Sequence, residues 1–519
     1  MLAGRRGARL ANLLTWLTGG ALALDLLLIA GVIALVAAKG LAHFRQGELV
    51  LLELRDGERV LGELSDQERS DAGERLRIHV ANRDLGELDF RWIDANAIRA
   101  RSTPADAVLL ERLEWGRFHG FARELRRGEE LLASGADAVW AALPALLAAR
   151  QADRDALEHR ERREVAVLSD ALDRARLASA PTAQQAELQA RLDGLAADLA
   201  ARRRALAADE LVLETASGQR TRLPVADVVR AVRPNQLGLL ASAALYASRV
   251  GEFLLGNPRE SNTEGGIFPA IFGTVLMVML TSLAVAPLGV LAAIYLHEYA
   301  RDGWLVRTVR ISVNSLAGVP SIVFGVFGLG FFVYLVGGTL DELFFAERLP
   351  SPTFGTGGIL WASLTLALLS VPVVIVSTEE GLASVPRLLR EGSLALGATR
   401  FETLCRVVLP AAAPGILTGL ILAMARAAGE VAPLMIVGMV KLAPGLAIDG
   451  QFPYLHLERK FMHLGFHIYD VGFQSPNVEA VQPLVFATAL LLILVVLMSN
   501  LAAILLRNRL RARHAASAV

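Results

Sequence analysis

The chain has 519 residues, of which 54% are hydrophobic and 20% charged. A soluble protein is rarely so apolar and a bare membrane bundle rarely so charged, so these averages cover two regions of different kinds. The formal net charge is zero, which gives no sign of nucleic-acid binding. The single cysteine, Cys405, excludes an internal disulfide framework and a cysteine-based zinc site. The only lysines are Lys39, Lys441 and Lys460, and none follows a glycine. A P-loop requires Gly-Lys-Ser/Thr to hold nucleotide phosphates. If ATP drives this protein, another chain must hydrolyse it.

Residues 14–37 form the first long apolar run, behind Arg5, Arg6 and Arg9. About 20 apolar residues cross a bilayer as a helix. The run is too long for the core of a cleaved signal peptide and its cleavage signal is poor, so it is expected to be an uncleaved anchor. From about 41 to 235 the character changes. Segments 48–54, 76–80 and 210–215 alternate like strands. Residues 105–207 are rich in Ala, Leu, Glu and Arg, as long helices are. Pro181, with Ser179 before it and Thr182 after it, breaks that stretch into a coiled-coil-type helical hairpin, with an extra turn near Gly135. Segments 90–100 (FRWIDANAIRA) and 222–231 (RLPVADVVRA) echo each other as strand, short turn and strand. They suggest one small β-domain interrupted by the hairpin; chance similarity is the alternative.

After residue 265 apolar runs lie near 267–296, 312–337, 358–377, 412–440 and 482–506. With the anchor this makes six spans. Arginines cluster at 5–9, at Arg301, Arg307 and Arg310, at Arg387, Arg390, Arg400 and Arg406, and at 507–513. All four clusters then fall on one side, which the positive-inside rule assigns to the cytoplasm. The large 41–235 region falls on the opposite, periplasmic side.

The loop between spans four and five reads Glu391-Gly-Ser-Leu-Ala-Leu-Gly397, then nine residues, then Val407-Val-Leu409-Pro410. This resembles the coupling loop of ABC importer permeases: Glu-Ala-Ala, three residues, Gly, nine residues, Ile, one residue, Leu-Pro. Gly392 and Ser393 stand at the alanines and Val407 at the isoleucine. A turn at Gly397 would make a compact knob able to dock in a separate ATPase subunit. An ordinary amphipathic loop is the plainer reading. Residues 258–274 (PRESNTEGGIFPAIFGT), 314–330 (NSLAGVPSIVFGVFGLG) and 426–434 (RAAGEVAPL) extend the resemblance to PstA-type permeases of phosphate importers. It covers about 255–510 and the first anchor. The family's Gly-Glu-Thr-Ala-Pro has Val431 in place of threonine here. Region 41–235 is similar to the insertion of a long-form subgroup.

Arg426 and Glu430 stand four apart in span five, on one helix face. A mid-membrane charge costs about 2.5–3.5 kcal/mol, so the two require a partner, a bundle interior or a watery path. The family resemblance implies that they line or gate the anion pathway. Arg426 would offer a cationic fork to an oxyanion, and Glu430 would orient it or form part of a gate. Alternatively the pair only neutralises itself and locks helices. Gly429 and Pro433 suggest a kink. Asp25 in the anchor is open between a contact to a neighbouring arginine and a kink facing protein. Span three carries Asn314, Gly318, Pro320, Gly325, Gly328 and Gly330, whose small residues read first as close helix packing. The resemblance adds a bent helix near the path. His456, His463 and His467 cluster in the last external loop. An interfacial aromatic loop suits them better than a metal site, because no third ligand is evident beside His463 and His467.

The expectation is a mainly α, polytopic membrane protein. It combines a six-helix ABC importer permease (MetI-like) bundle with an external α+β domain bearing a helical hairpin. The expected divisions are a cytoplasmic N-terminus and anchor (1–40), the periplasmic domain (41–235), an amphipathic connector (236–265), the permease domain (266–510) and a cytoplasmic tail (511–519). The resemblance implies a non-catalytic inner-membrane subunit carrying inorganic phosphate. Its partners would be a PstC-type permease, a PstB-type ATPase dimer that binds the ATP and magnesium, and a PstS-type phosphate-binding protein. No cofactor is expected in this chain. Alternatives are a permease for another oxyanion and a membrane-anchored signalling or scaffold protein.

Overall fold

The computed structural model describes residues 2–70, 73–86, 88–178, 180–301, 303–450, 452–475 and 478–516. The side chains of 2–13, 70, 506 and 510–516 lie outside that description. Ser179, residues 517–519 and the side chains of Arg5, Arg6, Arg9, Arg511 and Arg513 are therefore not described. The chain divides into two compact units, Phe44–Gly266 and Met1–His43 with Ile267–Val519.

The first unit contains two antiparallel sheets. Strands β1 (Leu49–Leu54), β2 (Arg59–Ser70), β3 (Gly73–His79), β4 (Phe90–Asp94) and β5 (Ile98–Ser102) pair in the order β4-β3-β2-β1-β5. Strands β6 (Ala107–Arg112), β7 (Arg117–Arg127), β8 (Glu130–Ser134), β9 (Asp209–Glu214), β10 (Arg220–Pro224) and β11 (Val228–Val232) pair in the order β10-β9-β7-β6-β11, with β8 beside β7. With β8 set aside, the second order repeats the first, position by position. In each sheet the fourth strand passes through a single 3-10 turn, Ala95–Ala97 or Val225–Asp227, into the fifth. The sequence echo of 90–100 and 222–231 is this shared corner. The one unit thus repeats a five-strand order, with β8 and the hairpin inserted between the second and third strands of the second repeat.

The helical reading of 105–207 also needs correction, because 107–134 forms β6, β7 and β8. Strand β6 is buried on both faces, so it lacks the alternation that marks a half-exposed strand. Strand β1 is likewise sandwiched. Val50 and Leu52 face Val60, Leu76 and Ile78 in their own sheet's core. Leu49 and Leu51 meet Ala107, Leu109 and Phe121 of the second copy. At the same junction Asn82 adopts a left-handed φ of 62°. Its amide donates to the His119 carbonyl and accepts from the His119 N–H, both at 3.0 Å. The His79 ring stacks on Phe90 and meets the His119 ring edge-on at 5.6 Å. Burial, with the guanidiniums of Arg117, Arg83 and Arg77 nearby, holds the His79 imidazole down at about 3. Burial holds His119 well below the ordinary value.

The hairpin runs Ala136–Leu177 and Thr182–Leu206, with Gly135 at φ 87° before the first helix and Pro181 before the second. Val139 and Leu143 root it on the second sheet's core, and Leu157, Leu195 and Leu199 close its seam. Segment 236–265 is tied to the second sheet. Its helix, Leu239–Leu255, sends Arg249 to buried Glu111, with contacts of 2.9 and 2.6 Å, and Arg230 reaches the same carboxylate. Burial pushes the Glu111 carboxyl up, but Arg249, Arg230 and Arg117 more than offset this and hold it below the usual range.

In the second unit, six helices among the described residues are long and apolar enough to cross a membrane. They are Leu14–Ala42, Phe268–Tyr299, Ser321–Phe344, Ile359–Ala383, Arg400–Gly429 and Val478–Arg509. Two boundaries differ from the sequence reading. Asn314 is not in span three; it lies in a separate amphipathic helix, Trp304–Leu316, and a break with Pro320 at its end precedes Ser321. Span five stops at Gly429 rather than continuing to 440, because Glu430 turns to extended backbone ahead of Pro433. Asp25 sits on an exposed face of span one. Glycines set the closest helix contacts. A Cβ at Gly325 would meet Pro433 Cα at 2.7 Å, and one at Gly328 would collide with the Thr365 side chain. One at Gly330 would meet nothing within 4 Å.

Two outcomes are expected from this packing. The histidines are neutral when folded, and their unfolded value is the ordinary 6.5. Their contribution is therefore complete above about pH 6.5 and is lost as pH falls below it, for His79 by about 2 kcal/mol at pH 5. Thermal resistance of region 44–266 to protease, measured in the full chain, should fall over that window, and His79→Phe should flatten the fall. Separately, Gly325→Val should lower the melting temperature of the detergent-solubilised chain by roughly 5 °C. Gly330→Val, in open space, should leave it nearly unchanged.

Candidate functional site

Arg426 occupies the last turn of span five, and Glu430 follows the helix end with φ −81° and ψ 130°. Their side chains still meet, Nε to Oε1 at 3.5 Å. The pair therefore stands at the end of the span and not in its middle. Its neighbours Ala427, Ala428 and Leu434 are buried in the main core with Met277, Phe324 and Leu366. Arg426 and Glu430 retain 30% and 22% side-chain exposure. The helix thus buries its alanine face and presents its charged face outward. Gly429 meets nothing within 4 Å, whereas Pro433 begins the short helix Ala432–Val437 that packs against Gly325. Pro320 caps the helix that carries Gly325. Of the helix-packing residues, Pro433 meets Gly325 on the helix that Pro320 caps; Asn314 is exposed on its own helix.

At the other end of span five is a knob of two short helices. Arg387–Ala395 ends at Leu396, Gly397 turns with φ 90°, and Arg400–Thr403 begins behind a Thr399 cap. That φ is one L side chains rarely adopt, which accounts for glycine here. Thr399 and Glu402 form a reciprocal capping box. Ser393 Oγ and Thr403 Oγ1, 2.9 Å apart, tie the two helices. Arg390 bonds the Leu382 carbonyl at 2.7 Å and pairs with Glu298 at 2.8 Å, which braces the knob against the ends of spans four and two. Arg310 and Glu379 meet at 3.3 Å beside them. Leu388, Leu396 and Phe401 are exposed large apolar residues around the turn, and Glu391 is exposed. Val407, Leu409 and Pro410 are half-buried. The residue that anchors this segment is Val408, buried with Ile294, Leu382, Val385 and Leu404. A pattern of types and spacings does not single out Val408, because the burial comes from spans two and four.

The knob and the ion pair are linked. A π-turn, Leu404–Val408, carries the chain without a break from Arg400–Thr403 into Leu409–Gly429. Span five is thus one 30-residue rod, about 45 Å long at 1.5 Å per residue. The knob starts it and Arg426 ends it.

The three loop histidines take separate partners. His456 lies between Asp449 at 3.0 Å and Glu458 at 3.2 Å, and Arg459 joins the same Asp449 at 2.6 Å. His463 Nδ1 accepts from the Gly465 N–H, and His467 Nδ1 faces Thr488. No cluster able to hold a metal ion occurs among the described residues. Two groupings escaped the sequence reading. Lys441 pairs with buried Asp470 at 3.3 Å. Asp341 accepts from the N–H groups of Phe354 and Gly355. Both join segments distant in sequence.

Residues 285–512 match the family of binding-protein-dependent transport system inner membrane components. A probable ABC transporter permease protein, YqgH of Bacillus subtilis, is 36% identical over 37% of this chain and 59% of its own length. The phosphate transport system permease protein PstA of Yersinia pestis is 36% identical over 47% of this chain and 74% of its own. A probable PstA of Methanocaldococcus jannaschii is 33% identical over 45% and 73%. Among solved structures, a chain of the MetNI methionine ABC transporter overlays at 20% identity and a TM-score of 0.35, over 46% of this chain and 94% of its own; so loose an overlay adds nothing to the assignment. With three-quarters of the Yersinia relative covered at this identity, the chain belongs to the PstA-type, binding-protein-dependent inner-membrane permeases.

Proposed function

We propose that this chain is one half of the transmembrane pathway of an ATP-driven importer and that its cargo is inorganic phosphate. The single observation that carries the reading is the rod of span five, with a knob at one end and an outward-facing Arg426–Glu430 pair at the other. A charged pair left partly open on an apolar bundle calls for a second surface or a watery path. A partner permease of PstC type would supply that surface and enclose a pathway. Arg426 would present its planar, always-charged fork to a phosphate oxyanion, while Glu430 holds the fork and yields it when cargo arrives. The phosphate assignment is supported by the PstA relatives.

The knob would seat in a groove of a PstB-type ATPase, which binds the ATP and magnesium. Leu388, Leu396 and Phe401 would fill that groove, and Glu391 would face a cation at its rim. ATP-driven closure of the ATPase pair would push the rod and alternate the access of the far end. The arginine clusters Arg301, Arg307, Arg310 and Arg387, Arg390, Arg400, Arg406 support a cytoplasmic knob. In that orientation region 44–266 is periplasmic, where a PstS-type protein would deliver phosphate. The chain itself would break no bond.

Labelled phosphate uptake tests this in a strain lacking the gene and other phosphate importers. Wild type should restore uptake. Arg426→Gln should cut it about tenfold or more at equal membrane abundance. Arg426→Lys should fall between, because a point charge replaces a fork. Gly397→Val should abolish uptake and loosen co-purification of the ATPase. Uptake that does not depend on the gene would turn the assignment toward another oxyanion or a scaffold role.

A further inference from the structure

The helix Leu239–Leu255 is amphipathic the wrong way round for a helix bathed in water. Its sequence, LLASAALYASRVGEFLL, carries only two charged residues. Both face the protein: Arg249 is buried on Glu111, and Glu252 pairs with Arg230 and Arg259. The opposite face carries no charge. Leu239, Leu240 and Leu255 are 91%, 89% and 76% exposed, and the exposed residues between them are alanine and serine. A water-facing helix normally shows the reverse, with leucines inward and charges outward. A contiguous bare apolar face of this kind marks an interaction surface.

Chain connectivity indicates what covers it. Phe44, two residues beyond Ala42 at the end of the first span's helix, packs edge-on against Tyr246 at 5.9 Å and Phe253 at 5.2 Å. Near the same end, a Cβ on Gly266 would collide with the carbonyl oxygens of Glu252 and Gly256. Gly266 thus presses on the helix's last turn, only two residues before Phe268 begins the second span. Two residues reach about 7 Å at most. The C-terminal half of the helix is thereby leashed to two segments entering the bilayer, and its polar face is already occupied.

We propose that Leu239–Leu255 binds the lipid surface of the bilayer as an in-plane anchor, with Leu239, Leu240 and Leu255 in the headgroup–acyl boundary. The Glu111–Arg249–Arg230 cluster then fixes the β-unit to this anchor. The inference rests on the spans crossing a bilayer and not on what they carry.

The test uses the full chain with Cys405→Ser, carrying one environment-sensitive fluorophore on Leu240→Cys, Leu255→Cys or, as control, Arg191→Cys on the hairpin. Each is reconstituted into phosphatidylethanolamine–phosphatidylglycerol vesicles, with or without lipid bearing a nitroxide near the headgroup end of its acyl chain. Labels at 240 and 255 should emit to the blue of the label at 191 and be quenched at least about twofold more, as expected for burial of roughly 5–10 Å into the interface. Water-like emission with quenching equal to that at 191 would overturn the proposal. So would blue-shifted emission without added quenching, which would mean that protein, and not lipid, covers the face.

Discussion

Within a bilayer no water can satisfy a freed backbone group, so a span breaks only where protein shelters the break. The membrane unit is organised around one such break. After Gly429 the chain leaves the helix, and the Val431 carbonyl accepts from Leu434 at 3.0 Å and Met435 at 3.2 Å as Ala432–Val437 starts. Gly325 lets its helix settle directly on Pro433. Ala427, Ala428 and Leu434 bury around the break. With these residues inward, Arg426 and Glu430 face outward. The charged site is therefore oriented by apolar packing behind it, not by its own ion pair.

The same rod joins mechanics to chemistry. Gly397 gives a turn that other residues resist, and the Thr399–Glu402 box and the Ser393–Thr403 contact stiffen it. Arg390 holds the knob to Glu298 and to the Leu382 carbonyl, so a push at the knob meets three spans. Helices packed this tightly shift as units rather than deform continuously. In the function proposed, a motion entering at Arg400 would be delivered at Arg426.

The β-unit follows a different logic. The two copies share the same corner, but the first strand of each is sandwiched and cannot be half-solvated. Strands β1 and β6 bury both faces because each copy covers the other. The polar seam between them is closed by buried Asn82 and His119, with half-buried His79 beside them. Glu111 lies on β6 and holds the helix Leu239–Leu255, so this buried carboxylate ties the second copy to the segment that leads into the membrane.

Six apolar runs, the Glu391–Gly397–Pro410 spacing and the Arg426–Glu430 interval were legible in the sequence, because each is a local pattern of length, type and period. Gly397 was legible for the same reason: a turn's conformation belongs to its own residue. The family resemblance added the phosphate reading. Tertiary structure decided what depends on neighbours. It separated Asn314 from span three and ended span five at Gly429, since whether a proline or glycine breaks a helix depends on what shelters the freed backbone. It made 107–134 strands, and in β6 burial on both faces erases the alternation by which a strand is read. It selected Val408 as the anchor of the knob, and Glu298 and Glu379 as the partners of Arg390 and Arg310, since these contacts join segments far apart in the chain. It also turned the charges of Leu239–Leu255 inward, which no period within that helix specifies.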